Sequence, residues 1–76
     1  MDRLIATYHE DKEGKRVGAS CHLPNGMELR VDAGKPMSAL CRQLLSLGFG
    51  DWHVSLVSPS GTPAQSCIVK HGYPLS

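Results

Sequence analysis

Seventy-six residues, 41 % of them hydrophobic and 20 % charged, make one domain, 1–76, and exclude a disordered chain. Eight Lys and Arg against seven Asp and Glu leave a net charge of +1, which argues against both the basic excess usual in nucleic-acid binders and the acidity of a DNA mimic. Only Tyr8, Phe49, Trp52 and Tyr73 are aromatic, so aliphatic side chains must supply most of a core that, at this length, hides only about 60 % of the unfolded surface.

Residues 3–9 are rich in β-branched and aromatic types and read as a strand, with Leu4, Ala6 and Tyr8 on one face and Ile5, Thr7 and His9 on the other. Glu10 to Arg16 is a hairpin loop in which six of seven residues are charged and Gly14 turns the chain; a mobile finger that meets a partner is its functional reading. In residues 17–23, Val17, Ala19, Cys21 and Leu23 alternate with Gly18, Ser20 and His22, a half-buried strand in which Gly18 marks a bulge. Pro24-Asn25-Gly26 is a hairpin turn. Met27, Leu29 and Val31 then alternate with Glu28, Arg30 and Asp32, giving a strand with one apolar and one fully charged face.

The spacing of Met37, Leu40, Cys41, Leu44 and Leu47 predicts a helix over 36–48, with Leu45 widening the apolar stripe. Pro36 suits its first position, Gly48 its αL stop, and Phe49 the apolar cap contact with Leu44. Trp52, Val54 and Leu56 alternate with His53, Ser55 and Val57 in a further strand. Residues 58–63 form a loop, Gln65 to Lys70 a last strand paired with the Trp52 strand, and 71–76 a tail that frays unless Tyr73 docks.

The predicted order, β-β-β-α-β-β, gives an α+β fold: one mostly antiparallel sheet of about five strands with a single helix on one face and a right-handed crossover. One helix covers only part of such a sheet. The uncovered face must be polar or bind something. An exposed edge strand also leaves a homodimer open to this chain.

The residues argue against catalysis and against a cofactor. Cys21, Cys41 and Cys67 are odd in number and widely spaced, and are expected as small buried hydrophobes in a reducing cytosol. Cys41 on the apolar stripe is then inert packing rather than a nucleophile. The one close Cys–His pair, Cys21-His22, points to opposite sides of a strand, so no metal site is expected. Gly48-Phe-Gly50 lacks the Lys-Ser/Thr ending of a phosphate loop and follows a helix instead of opening one. No apolar run approaches the roughly 18 residues of a membrane span, and the first residues lack the form of a signal peptide; the expected location is the cytoplasm, without a membrane partner.

What remains is protein binding. The candidate contact residues are Lys12, Lys15 and Arg16 in the charged loop, Glu28, Arg30 and Asp32 on the charged strand face, and the corner Asp51, Trp52 and His53. For Trp52 the first expectation is core packing at the helix–sheet seam, with partner contact as the competing role. The stretch Pro36 to Trp52, PMSALCRQLLSLGFGDW, resembles a segment of small proteins of proteobacterial phages and prophages, in which such a helix runs into a Gly and then a strand starting near a Trp. It covers about a quarter of the chain and carries no catalytic residue. Some of these proteins resemble anti-CRISPR inhibitors. That resemblance implies a non-enzymatic inhibitor in the host cell cytoplasm, docking on a CRISPR effector complex to block DNA binding or nuclease recruitment. The alternative is a small nucleic-acid-binding accessory or regulatory protein, carried by scattered bases such as Arg16 and Arg30.

Overall fold

The computed structural model describes residues 2–48 and 50–70. It contains β1 (Asp2–Glu10), β2 (Arg16–His22), β3 (Glu28–Val31), α1 (Pro36–Leu47), β4 (Trp52–Val57) and β5 (Pro63–Val69). The predicted order and α+β class hold. The cap contact expected of Phe49 and the tail with Tyr73 lie outside the described residues.

The five strands form one sheet in the order β3-β2-β1-β4-β5. β1–β2, β2–β3 and β4–β5 pair antiparallel, as a meander and a hairpin should. The two halves join through β1 and β4, which run parallel from Asp2↔Trp52 to Thr7↔Val57. α1 is the crossover that makes this parallel pairing reachable, because parallel neighbours cannot be joined by a tight turn.

α1 starts at Pro36, whose missing N–H costs nothing there, and follows Lys35, which supplies no side-chain cap. It stops at Gly48, at φ 76°, whose N–H donates to the Leu45 carbonyl at 3.2 Å. Its buried stripe, with Leu40 and Leu44 at 0 % exposure, covers Leu4 and Ala6 of β1, Ala19 and Cys21 of β2, Leu29 and Val31 of β3, Trp52, Val54 and Leu56 of β4, and Val69 of β5. Fully burying a Leu or Val side chain contributes about 1.5–3 kcal/mol, and this layer is the core.

Four sequence expectations need correction. Val17 is exposed, not on the apolar face. Its neighbours pair as His9↔Gly18 and then Glu10↔Arg16, so Val17 is the extra residue of a bulge and turns out of the alternation. The bulge sits beside Gly18, as expected. Met27 is exposed because it closes the turn, its carbonyl accepting from the Leu23 N–H at 2.8 Å, and β3 begins one residue later. Leu45 does not widen the stripe: it lies a helical step of 100° beyond Leu44 and faces solvent. Cys21 is buried as expected, but Cys41 and Cys67 are only half-buried and their sulfurs meet at 2.6 Å. Both sit at the seam where α1 meets β5, and among the described residues no further strand covers that side.

β5 begins at Pro63, earlier than the spacing predicts. Leu56↔Gln65 is followed by Val57↔Pro63, so Ala64 is a second bulge, and an edge-strand bulge tolerates a proline without an N–H. Among the described residues no helix is long and apolar enough to cross a membrane.

Candidate functional site: the open face of the sheet

Strand alternation sends every second residue of this sheet away from α1. The outward set is Arg3, Ile5, Thr7 and His9 on β1; Ser20 and His22 on β2; Glu28 and Arg30 on β3; His53, Ser55 and Val57 on β4; and Ser66 and Ile68 on β5. The register places Ile5 beside Ser55, and His53 beside both Arg3 and Ile68. Ile5 and Ile68 are 60 % and 58 % exposed, more than any other large hydrophobic side chain described. A shallow groove of about 390 Å³, lined by His53, Ser55, Pro63, Ala64, Gln65 and Ser66, runs beside them.

Several polar members of this face, on β1, β2 and β3, are held by short-range contacts. His9 Nε2 and Ser20 Oγ share a hydrogen bond of 3.2 Å. His22 Nε2 lies 3.2 Å from Glu28 Oε2 across the β2–β3 ladder, and Arg30 Nε lies 3.7 Å from Asp32 Oδ1. All four of the last side chains are well exposed, so these pairs fix orientation and add little stability. The β3 side of the face therefore carries both charge signs, while the β1–β4–β5 side sets Ile5 and Ile68 among hydroxyls, Arg3 and His53.

The nine sequence candidates do not form one site. Glu28, Arg30 and Asp32 stand at the β3 end of the open face, and His53 stands near its β5 end. Lys12 and Lys15 are at the tip of the β1–β2 hairpin. That tip is closed as a turn: Asp11 Oδ1 accepts from the Glu13 and Lys15 N–H groups, each at 2.9 Å, and the Asp11 N–H donates to the Lys15 carbonyl at 2.9 Å. Arg16 turns to the helix side. Its guanidinium lies 4.4 Å from the centroid of the Tyr8 ring, and its Nη1 donates to Gln65 Oε1 at 3.1 Å. With Gly34, Lys35, Pro36, Met37, Ser38 and Gln65 it lines a cleft of about 300 Å³ at the start of α1.

Trp52 is the clearest correction. It is 3 % exposed and belongs to the core, so in this fold its side chain offers no contact surface. A β-carbon on Gly50 would fall 2.5 Å from Trp52 Cζ2, so the indole packs against that glycine. Asp51 and His53 remain accessible on either side of it. The residues that sequence reasoning passed over are Ile5 and Ile68. Their outward register was legible, and an isoleucine on a solvent-facing register was the signal.

Tyr8 and Trp52 both point to the helix side, so among the described residues the ring side chains on the open face are those of His9, His22 and His53. Among the described residues no group of three or more His, Cys, Asp or Glu side chains is arranged to hold a metal ion. Burial raises the Cys21 thiol above its ordinary range. Burial first, and then the neighbouring Cys41, push the Cys67 thiol up to about 12. No family model, no curated protein and no solved structure matches this chain.

Proposed function

We propose that this chain is a small non-enzymatic protein-binding module that docks through the open face of its sheet. The observation that carries the reading is the pair Ile5 and Ile68, which stay more than half exposed on a face that also presents Arg3, Ser55 and His53 and ends in the charged β3 strand. Exposed aliphatic side chains ringed by polar and charged ones are the composition of a protein-binding patch, with an apolar centre and a polar rim. The partner that fits is a protein surface with an apolar centre and both charge signs at its rim, matching Glu28, Arg30 and Asp32. With the phage-protein resemblance of residues 36–52, the proposed partner is a host CRISPR effector complex, and the proposed outcome is a block of DNA binding or nuclease recruitment.

The test is titration of the chain against purified effector complexes, read by calorimetry and by target-DNA binding of the effector. The expected result is a stoichiometric complex and loss of DNA binding or cleavage. Replacing both isoleucines (Ile5→Asp with Ile68→Asp) should weaken the complex at least about tenfold, a loss of about 1.4 kcal/mol or more. Leu45→Asp is the control, since it alters an equally exposed aliphatic residue on the opposite layer. No association with any effector type ends the proposal of this partner. Tight retention on DNA that falls steeply with salt would replace it with the nucleic-acid reading.

A further inference from the structure

We infer that Cys41 and Cys67 are a thiol–disulfide modification site: a small-molecule disulfide of the glutathione class oxidises them to one intramolecular crosslink that ties α1 to the edge strand β5. The two residues are 26 positions apart in sequence, yet the fold brings their sulfurs to 2.6 Å. An S–S bond is about 2.05 Å long, so a small side-chain adjustment separates the dithiol from the bonded state. A metal ion bridging the two would instead require the sulfurs to move apart, since each Zn–S bond alone is about 2.3 Å long. Both thiols are half-buried, which leaves them within reach of a small oxidant, while Cys21 is 3 % exposed and remote in role.

The Cys67 thiol donates to Met37 Sδ at 3.5 Å, and burial and Cys41 together push it up to about 12. One of the two thiols loses its proton to water, and its sulfur attacks one sulfur of the small disulfide, releasing one thiolate and leaving a mixed disulfide on that cysteine. The other then loses its proton, and its sulfur attacks the first cysteine's sulfur, expelling the second thiolate. Two protein thiols are oxidised to one disulfide, and one small disulfide is reduced to two thiols. The crosslink closes a long loop containing β4, which constrains the unfolded chain and holds the open edge of the sheet to the helix.

The experiment incubates the full chain with oxidised and reduced glutathione at graded ratios and reads intact mass, peptide maps and Tm. The expected product is a monomer lighter by two hydrogens, with the Cys41 and Cys67 peptides joined, Cys21 free, and Tm raised by about 10 °C or more. Cys21→Ser should form the same crosslink; Cys41→Ser and Cys67→Ser should not. Because exchange proceeds through the thiolate and burial leaves Cys67 short of it, the crosslinking rate should rise with pH between 7 and 9. A chain that retains bound glutathione without closing the bond overturns the proposal. So do a crosslink to Cys21, a covalent dimer, or a crosslinked monomer with no gain in Tm.

Discussion

Gly18→Ala tests how tightly the meander is built. A β-carbon at Gly18 would lie 2.3 Å from the Val31 carbonyl oxygen and 3.3 Å from Asp32 Cα. Both obstacles are backbone, so no side chain can rotate aside. β2 and β3 must separate at the end where Ala19 pairs with Val31, and β3 has only four residues with which to hold on. Forcing one methyl into a packed site costs about 1–3 kcal/mol. A weakened ladder hydrogen bond adds about 0.5–1.5 kcal/mol. The stiffer unfolded chain returns about 0.4–1 kcal/mol. The net loss is about 0.5–4 kcal/mol, centred near about 2, against a total of about 4–11 kcal/mol for a domain of this length.

Trp52 is the only tryptophan and lies in the core, so its fluorescence during urea unfolding reads the loss directly. With a slope near 1–2 kcal/mol/M, a loss of about 2 kcal/mol lowers the midpoint by about 1–2 M. Gly34→Ala is the control: its nearest neighbour is the Arg16 carbonyl oxygen at 3.9 Å, and it should be neutral or slightly stabilising. A Gly18→Ala midpoint within the error of wild type would refute the close β2–β3 contact and the bulge argument with it.

Leu44→Ala removes a side chain of 0 % exposure beneath α1 and should cost about 2–5 kcal/mol by thermal or urea unfolding; a cost under about 1 kcal/mol would mean the helix does not seal the sheet. Gly50→Ala combines a φ of +83° with a β-carbon 2.5 Å from the indole of Trp52, so it should destabilise by about 2–4 kcal/mol and shift the tryptophan emission maximum of the folded state. Stability should fall at alkaline pH. The Cys67 thiol ionises only near 12 when folded but near 9 when unfolded, so its contribution is intact below pH 9 and is lost as pH rises from 9 towards 12. Cys21, also raised, acts in the same direction, and Cys67→Val should flatten the slope only in part. Arg16→Ala, which removes the contact over Tyr8 and the hydrogen bond to Gln65, should cost about 1 kcal/mol in chemical denaturation, because the hydrogen bond is exposed and the ring contact only half-buried.

The sequence by itself determined the elements and their faces. Period-2 alternation in β1, β2 and β4, the 3.6-residue stripe of α1 and the stops at Pro36 and Gly48 are local signals, written within a few residues of where they act. The outward registers of Glu28, Arg30, His53, Ile5 and Ile68 were readable for the same reason. Only the tertiary structure decided what lies beside what. The parallel pairing of β1 with β4 joins residues about fifty positions apart, and no local pattern specifies it. The bulge at Ala64 interrupts the alternation of β5 because it answers to the partner strand, whereas the bulge at Val17 is signalled locally by Gly18. Arg16 left the charged loop's surface for the Tyr8 ring, and Trp52 left the contact corner for the core, because each found its neighbour across the fold. The meeting of Cys41 with Cys67 depends on where a helix flank crosses a strand edge, a position set only when the whole sheet has closed around α1.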